Sequence, residues 1–191
     1  MKRRSILLGA TTLALAGGLL GGCTTNTGAG TSAADRKATI DKESDAAMNT
    51  LYTSVAGSRE LVAKARGVLV FPKVYEAGLG IGGSYGDGAL RVYGSNAGYY
   101  KTTSVTVGFQ AGAQSRALIF LFMTQEALDK FQKSSGWTAG ADASVSAIKL
   151  GANGVIDTQS VSNSVNVFAL TNAGLMAAAT IDGTKISKLD L

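Results

Sequence analysis

Two hydrophobic periods run through this chain. The period of two is clearest from Val105 to Gln114, where Val105, Val107, Phe109, Ala111 and Ala113 alternate with Thr106, Gly108, Gln110, Gly112 and Gln114. One face is then apolar and the other small or polar, the pattern of a half-buried strand. Ala117 to Met123 is apolar on both faces, as a central strand would be. After Gly136-Trp137, residues Ala139, Ala141, Ala143, Val145 and Ala147 alternate with Gly140, Asp142, Ser144 and Ser146 and predict further extended chain. Val165 to Leu170 and Leu175 to Ile181 read as a hairpin turning at Asn172 to Gly174, and Asp182-Gly183 turns the chain into a last strand near Lys185 to Leu189. The helical period appears in Ile40, Ser44, Ala47, Met48, Leu51 and Val55, which fall on one face of a helix that Ser32 can cap. Gly57 breaks it. Ser58 can cap a second, short helix to about Ala65, with Gly67 at its stop. Thr124 caps a third, with Glu126 in its first turn and Leu128 and Phe131 inward.

Glycine changes the picture in the middle of the chain. From Gly67 to Gly112 there are 11 glycines in 46 residues, roughly three times the ~7% of average proteins. β-Branched and aromatic residues are interleaved throughout, which predicts short strands separated by glycine turns. Val68 to Phe71 is a strand that Pro72 ends or pushes to an edge. Asp87-Gly88 is a hairpin signal, and Asn96 to Gly98 reads as another turn. Gly78 to Gly83 matches the spacing GxGxxG, but that motif must open a helix, and strand chemistry follows here. Gly80, Gly82 and Gly83 instead suit tight backbone packing in a sheet that curls. Lys149 to Asn163 carries no clear pattern. The fold expected is α+β: a curved or barrel-like antiparallel β-sheet with N-terminal helices and one inserted helix.

The N-terminus is not part of that fold. Lys2, Arg3 and Arg4 precede an apolar run from Ile6 to Leu20, too short to cross a bilayer that needs about 20 apolar residues. The run ends Leu20-Gly21-Gly22-Cys23, which resembles the bacterial lipobox. That resemblance implies cleavage before Cys23, a diacylglyceryl thioether on its sulfur and usually an acylated amine. Residues 1–22 are then a signal peptide, 23–32 an acylated cysteine with a polar tether, and 33–191 the domain. Thr24 after the cysteine, rather than aspartate, implies sorting to the outer membrane with the domain in the periplasm. Arg3-Arg4 before Ser-Ile-Leu also resembles a twin-arginine signal, so two export routes stay open. The tether TTNTGAGTS reaches on the order of 15–18 Å, which keeps the domain near the membrane.

Composition excludes more than it selects. The chain has 191 residues, with 18 Lys and Arg against 13 Asp and Glu. Removing the three basic residues of the signal leaves a net charge of +2, too little for a nucleic-acid-binding face. Histidine is absent and cysteine single, which removes the commonest general base, the commonest zinc ligand and any internal disulfide. Ser115 beside Arg116 and the carboxylates Asp142 and Asp157 have no spacing that supports catalysis. No enzyme and no cofactor is expected. One local charge excess stands out: Arg59, Lys64, Arg66 and Lys73 against Glu60 alone. These four are the candidate lipid-binding residues, set against a plainer reading in which they complement a helix dipole.

Four segments then resemble the SYLF domain family of bacterial lipoproteins and eukaryotic lipid- and actin-binding proteins. They are Lys64 to Gly78 (KARGVLVFPKVYEAG), Gly80 to Arg91 (GIGGSYGDGALR), Gly108 to Phe131 (GFQAGAQSRALIFLFMTQEALDKF) and Asn166 to Ile186 (NVFALTNAGLMAAATIDGTKI). Gly136 to Ala147 adds a weaker fifth. The resemblance implies an α+β domain that binds membrane lipid, phosphoinositides in eukaryotic relatives, with actin bundling in some. This chain lacks the basic amphipathic segment through which some relatives meet such membranes. The function expected is a membrane-anchored envelope lipoprotein with a lipid-binding SYLF-like domain, meeting membrane lipids that include anionic ones. The alternatives are a non-enzymatic envelope module with a protein partner, and a small-ligand carrier using the curved sheet.

Overall fold

One hairpin of two very long strands organises the molecule. Strand β1 (Gly67–Val92) pairs antiparallel with β2 (Ser95–Phe122) from Gly67↔Phe122 to Val92↔Ser95. The structure, a computed structural model, describes residues 32–151, 155–157, 161, 163–171, 174–176, 181 and 183–191, and within β1 and β2 it describes no side chains for 79–80 and 106–113. Residues 1–31, which hold the expected signal peptide, Cys23 and most of the expected tether, lie outside the described residues. So do the side chains of the Val107 to Ala113 alternation. The described residues belong to one unit, Thr31–Leu191, and every residue of both hydrophobic clusters lies within it.

The glycine turns expected in this tract are not turns. The hairpin turns once, at Tyr93-Gly94, where both φ values are positive (50° and 81°), as a two-residue primed turn requires. At Asp87-Gly88 the strand runs on, with Gly88 opposite Tyr100. Asn96 to Gly98 lies in β2, at an irregularity in the pairing with Leu90 and Arg91. Pro72 does not end β1 either. It sits in a bulge where β1 advances from Phe71 to Val74 while β2 advances only from Leu118 to Arg116. The extra residue takes the proline, which has no ladder donor to give. It also switches parity: Leu69 and Phe71 face the main core before it, Val74 and Leu90 after it.

The hairpin doubles back on itself. A Cβ on Gly86 would lie 2.6 Å from the Lys73 carbonyl, and one on Gly88 would lie 2.3 Å from the Val70 carbonyl and 2.5 Å from the Phe71 ring. Two parts of β1, 13 to 18 residues apart, therefore touch backbone to backbone. Glycine is needed there for close approach, not for turning. Gly78 is equally tight, 2.3 Å from the Gly82 Cα, whereas Gly83 has only ordinary contact, 3.7 Å from the Ser104 carbonyl. The expected role of Gly83 is thus filled by Gly86 and Gly88.

The rest of the sheet grows on β2. Its end at Tyr100–Thr103 pairs with β7 (Lys185–Lys188), which also takes β3 (Trp137–Thr138). Its other end, Ala117–Phe122, pairs with β5 (Val165–Thr171). β5 then carries β6 (Gly174–Leu175), which pairs as the start of the expected second hairpin strand, whose residues 177–180 lie outside the described residues, and β4 (Val145–Ala147). Because β4 runs parallel to β5, the curved sheet is mixed rather than purely antiparallel. A parallel pair needs a long return connection, and residues 148–164, the stretch without a legible pattern, supply it. The alternation expected from Ala139 to Ala147 is interrupted by a turn, in which the Asp142 carboxylate accepts from the Thr138 backbone N–H at 2.6 Å.

Three helices cover the sheet. α1 (Ala33–Ser54) begins with Ser32 accepting from the Asp35 N–H while the Asp35 carboxylate accepts from the Ser32 N–H, a reciprocal cap. Its expected row of Ile40, Ser44, Ala47, Met48 and Leu51 is buried. Ala47, Met48, Leu51 and Val55 pack against Val70, Ile119, Leu121, Phe168 and Leu170; each large apolar side chain so buried contributes about 1.5–3 kcal/mol. α2 (Ser58–Lys64) is capped by Gly57 in the left-handed region, and Ser58 instead donates to the Leu51 carbonyl at 3.2 Å. α3 (Gln125–Lys133) has the expected Thr124 cap and buries Leu128 and Phe131. Gly67 opens β1 rather than closing α2, with the Leu128 side chain pressed against it. On the opposite face of the sheet Phe71, Phe120, Phe122, Phe131, Trp137 and Tyr100 meet with ring centroids 4.8–6.3 Å apart, mostly edge to face.

The tight approach makes a prediction. Gly88→Val should cost about 3 kcal/mol or more in urea unfolding, because backbone and a packed ring must both move. Gly83→Ala should stay within about 1 kcal/mol of wild type. Equal loss at both positions would show that the hairpin does not fold back at Gly88.

Candidate membrane-binding surface

The charges of α1 are turned toward the hairpin. Arg36 pairs with Asp87 at 3.0 Å, Asp45 with Arg91 at 2.6 Å and Glu43 with Lys73 at 2.5 Å. Asp41 accepts from Asn96 (2.9 Å) and from the Tyr99 hydroxyl (2.8 Å), and Arg91 also reaches the Asp41 carbonyl. Lys37 lies over the Tyr99 ring, 5.8 Å from its centroid. The residues paired here are 30 to 62 positions apart, so no local signal in the sequence marks them. Asp41, Glu43 and Asp45 of this helix are therefore a set of clamps on β1 and β2. Among the described residues no helix is long and apolar enough to cross a membrane.

The four candidate cations divide into three and one. Arg59 and Lys64 are exposed on α2, and Arg66 is exposed just beyond it, held by its backbone N–H to the Phe122 carbonyl at 2.7 Å. The Arg59 guanidinium stacks over Tyr52, 4.3 Å from the ring centroid. Among the described residues, neither Lys64 nor Arg66 has an ion-pair partner. Lys73 is different. It sits in the Pro72 bulge, bonded to Glu43, and that hydrogen bond raises its pKa above the ordinary lysine value. The count that set Lys73 against Glu60 alone missed Glu43, because a helix 30 residues earlier brings it in.

Two open grooves flank the Glu43–Lys73 pair. One, about 280 Å³, lies between α1 and the fold-back, with Tyr75, Tyr85 and Ile40 in its walls. The other, about 290 Å³, extends past Thr50 to Ser115, Arg116 and Thr171. Arg116 is nearly buried and pairs with Glu76 at 3.4 Å. Tyr85 donates to Asp87, and that bond, with partial burial, raises its pKa above 10.0. Tyr99 is raised by burial first and by its bond to Asp41 second.

Residues 103–190 match a family model described as Ysc84, Las17-binding protein actin regulator. This span belongs to the Ysc84 (SYLF) family. No curated protein matches the chain. The Ysc84 span begins inside β2 and takes in α3 and β3 to β7. The motifs from Lys64 to Arg91 fall outside it, yet β1 is paired to β2 along its whole length. The sheet of this chain therefore includes a strand that the matched span leaves out. The family is a class of binding modules.

The tyrosine clamps give a pH prediction. Their folded pKa values lie above the ordinary 10.0, so their contribution is complete below that pH and is lost as pH rises through the folded values. Phenolate absorbance should show Tyr85 titrating late in wild type, and Asp87→Ala should bring it back toward 10.0. An unchanged alkaline titration in that variant would dissociate Tyr85 from Asp87.

Proposed function

We propose that this chain is an envelope lipoprotein, anchored through acylated Cys23 to the outer membrane, whose Ysc84 domain binds anionic lipid from the periplasmic side. The observation that carries the lipid reading is the uneven use of charge. Asp41, Glu43, Asp45 and Asp87 are engaged by partners within the domain, while Lys64 and Arg66 stand exposed at the C-terminal end of α2 and Arg59 is exposed in its first turn. Cations there are attracted to an anionic surface by about 1 kcal/mol each, within a Debye length. Lys73, held by Glu43, adds less. The filled aromatic core supports a surface binder over a carrier that encloses its ligand.

A second reading, an envelope interaction module with a protein partner, draws on the family description, which names protein binding and actin regulation for its members. Vesicle sedimentation separates the two. Residues 24–191 should pellet with anionic vesicles and lose binding with salt. Arg59→Gln, Lys64→Gln and Arg66→Gln together should weaken that binding by about tenfold or more without lowering the melting temperature. Binding indifferent to salt and to these changes would remove the lipid role of this cluster.

The anchor has its own test. Cys23→Ser should abolish incorporation of a palmitate label and release the protein from the membrane fraction. Labelling and fractionation that persist in the variant would overturn the lipoprotein assignment.

A further inference from the structure

The two faces of the β1–β2 ribbon are used in an unusual way. After the Pro72 bulge, even-numbered positions of β1 face inward: Val74 and Leu90 enter the core, Ser84 is buried and bonds Ser104 at 2.6 Å, and Gly86 and Gly88 lie on the Val70–Val74 backbone. Where β1 lies on the Val70–Val74 backbone, the concave side has room only for small residues, here Ser84, Gly86 and Gly88. The odd-numbered positions are left on the outside. α1 covers that outer face at both ends, through Val70, Ile119 and Leu121 at one and Asp87, Arg91 and Tyr99 at the other. Between them its described side chains are exposed. Ile81 is 71% exposed, Val105 78%, Tyr75 59% and Tyr85 46%. Register puts Val105 opposite Gly83, flanked by Ile81 and Tyr85 on the same face.

This open stretch carries no charge. There is no Asp, Glu, Lys or Arg from Ala77 to Gly86 or from Thr102 to Ser115. A solvated ribbon ordinarily carries charge on its exposed face, and strands in contact with lipid show the reverse, apolar outside and polar or small inside. We propose that the outer face of the ribbon around Ile81, Tyr85 and Val105 inserts into the bilayer interface. This rests on the lipid-binding reading above and names a second, apolar contact for it. A protein partner would be met by a charged or polar rim; here the neutral stretch is bounded by tyrosines, which suit the headgroup level. Insertion is shallow, since the free edges of a two-stranded ribbon need water or headgroups for their backbone groups. The chain also delivers this face to the membrane. α1 starts at Ala33, nine residues after Thr24, and its first turn is pinned by Arg36 to Asp87, two positions from Tyr85.

Lipid-borne quenching tests the proposal directly. The single tryptophan, Trp137, is 2% exposed and gives the unquenched baseline. Residues 24–191 contain the whole core and serve as the test protein. With vesicles of phosphatidylcholine and phosphatidylglycerol brominated on their acyl chains, Val105→Trp should be quenched well above that baseline. Ile81→Ser with Val105→Ser should bind neutral vesicles about tenfold more weakly, with unchanged melting temperature. If wild type pellets with vesicles but Val105→Trp is unquenched and the double variant binds equally, the ribbon proposal is overturned and the lipid reading stands. If wild type binds no vesicle of either composition, both readings fall. A concentration-dependent dimer that the double variant abolishes, without quenching, assigns the face to a second copy of the chain and overturns the proposal.

Discussion

The structure depends on one close approach. Gly86 and Gly88 rest on the backbone of Val70 to Val74, and this contact turns a hairpin of two strands, 26 and 28 residues long, into a curl with an inside and an outside. Once the ends of the hairpin are brought together, the space between them must be filled. Leu69, Phe71, Leu118, Phe120 and Phe122 fill it from one end, Leu90 and Tyr100 from the other, with Phe131 and Trp137 packed among them. A side chain at either glycine would hold the ends apart and open a void in that cluster, where lost contacts are costly.

The bulge at Pro72 makes the two sides consistent. Without its extra residue, the inward parity of Leu69 and Phe71 would carry Tyr75 and Ile81 into the curl and turn the glycines outward. With it, small residues meet the tight concave side and larger apolar ones are left on the convex side. α1 then serves as a cover for that convex side. Its apolar row meets one end and its carboxylates meet the cations and hydroxyls of the other. Exposed ion pairs contribute little singly. Several together on one helix set its position along the sheet.

Function follows from what these constraints leave uncovered. The acids of α1 are matched within the domain, the cations at the end of α2 are not, and the middle of the ribbon presents apolar side chains to its surroundings. A polar attraction and an apolar contact are the two terms by which a domain holds to a membrane surface.

Much of this was legible from the residues. The helix caps at Ser32 and Thr124, the buried row of α1, the two-sided apolar strand at Ala117 to Met123 and the final hairpin follow from local periodicity and capping chemistry, which act within a few residues. The motifs also identified the family, and the cations of α2 were visible as a charge excess. The role of each glycine was not legible. Asp87-Gly88 and Tyr93-Gly94 look alike as dipeptides, yet one is a turn and the other a packing contact. That difference is set by the Val70 backbone, 18 residues away. The Glu43–Lys73 pair, the parallel placement of β4 and the open face at Ile81 and Val105 are likewise decided by residues distant in sequence. Alternation determined that the ribbon has an apolar and a small face. Only the curl, through the close approach that glycine alone permits, decided that Ile81 and Val105 look outward.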